Sequence, residues 1–274
     1  MAQSTDDAWE AWAVQDPYYS VLTDPKFRAA ELTSQAREEF FASGHAHVAH
    51  VLGICRQRLD PAFAPQRVLD FGCGVGRLVI PFAGIANEVV GMDIAPSMLE
   101  EARRNCDERH VPNVVLMQSG NTLSSAAGLF DLVHTCIVLQ HVEIARGRVL
   151  VAELVRRIRP GGCGAIHVTF AWDHHAATFG QPPLAVVGPP DMSMKAAAKR
   201  FVKSALRPLR RSQPPASAPP SADPEMQMNF YNLSELFFIL HQAGVHQIHT
   251  EVTDHGGALG AFLFFRVEAA PLVV

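Results

Sequence analysis

The chain lacks the pairs, runs and charge excess that mark several common classes of protein. Its five cysteines, Cys55, Cys73, Cys106, Cys136 and Cys163, are odd in number, and no two stand in a C-x-x-C pair. Neither a disulfide framework nor a zinc site is expected from them, and a reducing cytoplasm suits such usage. No uninterrupted apolar run is long enough to cross a bilayer. The opening residues, Met1 to Asp7, are polar and acidic where a secretory signal would be basic and then apolar. A formal net charge of -4 gives no electrostatic reason to expect a nucleic-acid partner. The expectation is a cytoplasmic protein with no integral membrane segment, no metal site and no nucleic-acid partner.

What is present is an ordinary globular composition, 48% hydrophobic and 18% charged over 274 residues. Residues 1–60 read as a helical N-terminal cap carrying Trp9, Trp12, Tyr18 and Tyr19, with helical stretches at Asp7–Val14, Pro25–Phe41 and His45–Leu59. Residues 61–172 alternate short apolar strands with helices: strands at Val68-Leu69, Val89–Met92, Val114–Met117, Phe130–Thr135 and Ala165–Phe170, helices at Leu78–Ala83, Ser97–Asn105 and Glu143–Arg159. That spacing predicts an α/β fold with a mostly parallel sheet and right-handed crossovers. Residues 173–229 interrupt the alternation with a basic, proline-rich insertion, read as a lid, in which Met192–Arg211 has the pattern of an amphipathic helix. Its basic face offers a peripheral membrane contact or a dock for an acidic carrier. In residues 230–274, Asn232 and Glu235 are spaced as a capping box before a helix over Leu233–Ala243. Two closing strands joined at Gly256-Gly257 then predict an antiparallel hairpin.

The most informative segment is Val68-Leu69-Asp70-Phe71-Gly72-Cys73-Gly74-Val75-Gly76-Arg77. A strand ends, a glycine loop turns and a helix begins, which is where open parallel sheets bind nucleosides. The dinucleotide fingerprint G-x-G-x-x-G would need a third glycine at position 77, and Arg77 stands there. Asp70, just before the loop, repels a pyrophosphate and suits a ligand carrying an amino group and a sulfonium. Asp93, at the end of the next strand, can accept hydrogen bonds from both hydroxyls of a ribose.

Together with Asp93, Phe130-Asp131-Leu132-Val133 and Leu154–Gly162, this loop resembles the class I S-adenosylmethionine-dependent methyltransferases, over about residues 67–170 and more weakly to Val267. The resemblance implies a Rossmann-like seven-stranded sheet ending in the antiparallel hairpin, and S-adenosyl-L-methionine as cofactor. It implies Asp70, Gly72 and Gly74 at the methionine end, Asp93 at the ribose, and Ile94 and Met98 beside ribose and adenine. Arg77 and Cys136 complete the candidate cofactor set. The family often has an acid after the third strand for the adenine amino group; here the chain reads Gln118-Ser119-Gly120-Asn121, with Asn121 as a neutral substitute.

Methyl transfer to a hydroxyl or a protonated amine needs a proton acceptor. His141, after the fourth strand, is the first candidate base, and His174 and His175, after the fifth, are the next. The alternative for Gln140 and His141 is a purely hydrogen-bonding frame for the cofactor. His45, His47 and His50 sit on a predicted helix without a carboxylate at ligand spacing, so a helix surface explains them better than a metal does. Tyr18 and Tyr19 either close over the methionine end or anchor the cap, and the anchor is favoured. The expected substrate is a small organic molecule, a specialised metabolite or lipid, with an oxygen, nitrogen or carbon acceptor. The rival readings are a nicotinamide-dependent oxidoreductase and a non-catalytic partner protein that keeps the cofactor fold.

Overall fold

The computed structural model describes residues 5–120, 123, 126–172, 223–224 and 226–268. Asn121, His174, His175 and the amphipathic stretch 192–211 lie outside the described residues. Seven strands form one sheet: β1 (Arg67–Phe71), β2 (Glu88–Asp93), β3 (Val114–Gln118), β4 (Phe130–Thr135), β5 (Ile158–Trp172), β6 (Ile248–His255) and β7 (Ala258–Arg266). Their order is β3-β2-β1-β4-β5-β7-β6. The first five are parallel; β7 runs antiparallel to both β5 and β6, which closes the sheet with the expected hairpin.

The central strands are apolar on both faces because both faces are covered. Alternate residues feed separate cores. Val68, Val89 and Leu132 pack with α3 (Ser34–Ile54), α4 (Val79–Ala83) and α5 (Pro96–Glu108). Leu69, Val90 and Val133 pack with α6 (Ile144–Arg156) and α7 (Leu233–Gln242). The chain leaves β1 toward β2 on one side and reaches β4 on the other, so strand order reverses beside the carboxyl end of β1. That is where a crevice opens in such sheets.

Three expectations about elements need correction. The predicted helices at 25–41 and 45–59 are a short 3-10 turn at Pro25–Phe27 and one long helix, α3, which ends in a π-helical turn over Cys55–Leu59. Thr33, whose hydroxyl accepts the Ala36 N–H, caps α3 and sets its start. The fifth strand begins at Ile158 rather than Ala165, because Pro160-Gly161-Gly162 runs through the strand. Asn232 caps α7 through the Ser234 N–H, but Glu235 turns away to pair with Arg148, so the capping box does not close.

The N-terminal helices α1 (Thr5–Gln15) and α2 (Pro17–Val21) are tied down by polar contacts. Glu10 accepts from the backbone N–H and the hydroxyl of Ser97 at the start of α5. The Tyr18 hydroxyl donates to Glu101 at 2.6 Å, and the Arg28 guanidinium lies 3.6 Å from the centre of the Tyr19 ring. Both tyrosines thus anchor the cap, and neither lines the cavity described below.

Candidate functional site

At the carboxyl ends of β1, β2 and β4 lies a cavity walled by the glycine loop, the turn after β2, the segment after β4 and helix α1. Local chemistry shapes each wall. Gly72 has φ +77°, and a Cβ there would stand 2.2 Å from Cγ2 of Val138, so only glycine serves. The long helix α3 approaches the loop through Gly44, whose added Cβ would meet the Arg77 carbonyl oxygen at 2.2 Å. On the opposite wall Ile137 takes φ +59°, a conformation costly for a β-branched residue. Ile137→Gly is expected to raise the free energy of unfolding by roughly 0.5–1 kcal/mol while loosening this wall. Chemical denaturation measures the first effect; an unchanged or lower stability would show that Ile137 is not strained.

The loop amides are already committed. Gly72 and Cys73 donate to the Met92 carbonyl at 2.7 and 2.9 Å, Gly76 donates to Cys73 at 3.0 Å, and Gly74 donates to Asp93 Oδ2 at 2.8 Å. Helix α4 behind the loop has only five residues. A pyrophosphate grips free loop amides and the end of a longer helix; here those amides are spent inside the protein.

Asp93 lines the cavity. Its other oxygen accepts the Ala95 N–H at 3.0 Å, and burial pushes the carboxyl up to about 6 despite these donors. Ile94, Met98, Ser119, Val138 and Leu150 provide mostly apolar surface around it. Gly72, Gly74, Arg77, Cys136 and His141 also line the cavity, as the sequence suggests. Burial holds the Cys136 thiol up at about 12, so it stands as a neutral wall and not as a nucleophile.

Asp70 is placed differently from the expectation. Strand alternation turns Phe71 into the cavity wall and sends the Asp70 side chain to the opposite face of β1. There Oδ1 meets Nδ1 of His134 at 2.7 Å, and Oδ2 is buried with no hydrogen-bond partner among the described residues. Asp70 therefore lies beneath the loop and not in its wall. Arg77 carries a matching orphan: its guanidinium is buried, its Nη1 reaches Ser43 Oγ at only 3.3 Å, and its Nε has no partner among the described residues.

His141 is buried with both ring nitrogens engaged. Nδ1 donates to the Gln227 carbonyl at 3.0 Å, which leaves Nε2 as the acceptor for the Gln140 side-chain amide at 3.1 Å. Burial holds its protonation down to about 4, and Trp9 packs edge-on against its ring at 5.0 Å. Gln140 in turn accepts from Thr169, and its carbonyl accepts from Asn229, so the dipeptide ties the segment 226–231 to β5. Sequence reasoning missed Thr5, Asp6 and Arg146 in the wall and gave Trp9 no place there. Arg146 pairs with Asp6 at 2.9 Å across the gap between α6 and α1. Of the three early histidines, His47 meets His134 and His50 meets Glu251 of β6 at 2.6 Å.

Residues 68–162 match the family model described as a methyltransferase domain. An uncharacterized methyltransferase, sll0829, from Synechocystis is 29% identical over 159 residues, 58% of this chain and 66% of that protein. The ubiquinone biosynthesis O-methyltransferase of Methylocella silvestris is 35% identical over 113 residues, 41% of this chain and 43% of that protein. The chain thus spans less than two thirds of the length of these relatives. The magnesium protoporphyrin IX methyltransferase of Synechocystis, solved with bound SAH, shares the fold at a TM-score of 0.58 and 16% identity, covering 96% of this chain and 98% of that one. Residues 68–162 are thus a methyltransferase domain, and the sheet around them has the Rossmann-like fold of S-adenosylmethionine-dependent methyltransferases.

Proposed function

We propose that the chain binds S-adenosyl-L-methionine in the cavity at the glycine loop and transfers its methyl group to a small organic acceptor. The observation that carries the cofactor reading is the loop itself: its amides are spent internally, while carboxylates stand both in the cavity wall, at Asp93, and beneath it, at Asp70. That field repels phosphates and attracts a cationic nucleoside. Asp93 would hold the ribose hydroxyls, and Ile94, Met98 and Leu150 would face the purine. Arg77, whose Nε has no partner among the described residues, would meet the ligand's carboxylate. The acceptor side is roofed by Thr5, Asp6 and Trp9 of α1, which favours a small molecule over a protein or nucleic-acid substrate. The remaining candidates of the cofactor and catalytic sets, Asn121, His174 and His175, stay proposals from sequence.

The bound cofactor supplies an electrophilic methyl on a sulfonium. The protein's contribution is to hold the acceptor in line with it and exclude water, which is the larger part of such catalysis. We assign His141 to the wall and not to proton removal, in correction of the sequence expectation. Its one basic nitrogen is occupied by Gln140, and burial makes it a poor proton acceptor. His141→Gln is expected to keep turnover within about tenfold of the unaltered protein, where loss of a general base costs about 10²–10⁴-fold. Single-turnover rates across pH decide this; a loss of the larger order with intact cofactor binding would return the base role to His141. The function as a whole is tested by incubating the protein with methyl-labelled S-adenosylmethionine and metabolite extracts, then identifying the labelled product. Label found only on protein or nucleic acid would refute the small-molecule reading.

A further inference from the structure

Beneath the glycine loop two buried side chains, Asp70 and His134, and the partly buried His47 form one hydrogen-bonded line across three distant parts of the sequence. Asp70 Oδ1 lies 2.7 Å from Nδ1 of His134, its register partner on β4, and Nε2 of His134 lies 2.9 Å from Nε2 of His47 on α3. Phe82 and Phe262 pack against the His134 ring at 5.4 and 5.9 Å, and Phe262 stacks on His47 at 5.7 Å. The line is thus sheathed in aromatic rings.

The contacts are satisfied with His134 neutral or doubly protonated, and the neutral form leaves the charge of Asp70 uncancelled. Two ring nitrogens at hydrogen-bond distance share one proton. Burial, with His134, Arg77, His50 and His167 nearby, holds the protonation of His47 down to about 2, so His47 is neutral and carries a single N–H. Placed on Nε2, that proton is donated to a bare Nε2 on His134, whose own proton must then sit on Nδ1, facing Asp70. A buried carboxylate with one donor, and one oxygen unpartnered among the described residues, is undercompensated. Its charge reaches the side chains above it: Cys73, Asp93, Cys136 and Arg77, all in the cavity wall.

We propose that His134 is a positioning residue for Asp70, with His47 fixing its tautomer, so that a full negative charge is held beneath the loop for the cationic end of the cofactor. This rests on the cofactor reading above for the identity of the ligand.

In unliganded protein labelled with 15N-histidine, two-bond proton–nitrogen spectra are expected to show His134 as the Nδ1–H tautomer and His47 as the Nε2–H tautomer. The opposite tautomer at His134 overturns the proposal. Calorimetry with S-adenosylhomocysteine then compares four variants. Asp70→Asn and His134→Leu are each expected to lose affinity roughly 10- to 100-fold. His134→Asn, which keeps an N–H near the position of Nδ1, should stay within about threefold. The double variant Asp70→Asn/His134→Leu should bind no more weakly than Asp70→Asn alone. Additive losses, or unchanged affinity in His134→Leu, mean that the line only supports the fold, and overturn the proposal. Should His134→Leu fail to fold, His47→Leu serves instead: an altered His134 tautomer with weaker binding supports the role, and an unaltered one overturns it. A wild-type protein with the expected tautomers that binds no S-adenosylhomocysteine would overturn the cofactor reading instead.

Discussion

Asp93→Ala is expected to weaken binding of S-adenosylhomocysteine by roughly 10- to 100-fold, the worth of hydrogen bonds to one ionised group. Two losses combine. The ligand loses the carboxylate proposed to hold its ribose, and the loop loses the acceptor that fixes the Gly74 amide at 2.8 Å. The pH dependence separates this residue from its neighbours. With its carboxyl up at about 6, Asp93 is ionised at neutral pH and takes up a proton as the pH falls through that value. Affinity in the unaltered protein should therefore be level above about pH 7 and drop about tenfold per unit below pH 6. In Asp93→Ala the drop should vanish. Calorimetry at several pH values checks both; unchanged affinity in the variant removes Asp93 from the site.

The second large effect is on stability in mild acid. His141 and His167 are buried and His47 is largely so, and this desolvation holds their protonation down to about 4, about 4 and about 2. In the unfolded chain each takes a proton near pH 6.5. A histidine with a lowered folded value contributes stability that is intact above the unfolded value and is lost as the pH falls below it. Asp93 opposes them, since its raised value lets the folded protein take up a proton first, between about pH 6 and 4. The three histidines outweigh the one carboxyl, and a net loss of roughly 4 kcal/mol is expected between pH 7.5 and pH 5. That is a large share of a typical domain's stability. Urea unfolding at the two pH values measures it. Replacing His167, which contacts Thr253 and stands outside the cavity wall, by Gln should recover about half of the net loss. Equal stability at both pH values would show that these rings protonate in place.

Much of the fold was legible because strand spacing and the glycine loop are local signals. The loop, Asp93, Ile94 and Met98 fall where a strand-turn-helix pattern places them, and the closing hairpin follows from Gly256-Gly257. What was not legible depends on contacts between distant segments. The partner of Asp70 is set by the register of β1 against β4, 64 residues apart in sequence, and nothing near Asp70 announces His134. The face that Asp70 presents depends on where the strand ends, and a one-residue difference moves a side chain from the wall to the floor. The position of His141 was readable, but its burial and its bond to Gln227 were not, because they come from a segment 86 residues away. The single long helix α3 was misread as two, since its interior glycine at position 44 looks like a break and serves instead as the point of closest approach to the loop.

The most direct measurement is a calorimetric titration of the unaltered protein with S-adenosylhomocysteine, repeated with chelator present and with NAD+ or NADP+ as competitor. The cavity chemistry predicts saturable one-to-one binding that neither chelator nor nicotinamide nucleotide disturbs. Absence of binding, or displacement by a nicotinamide dinucleotide at comparable concentration, would contradict the assignment of the glycine loop to a cationic, phosphate-free nucleoside.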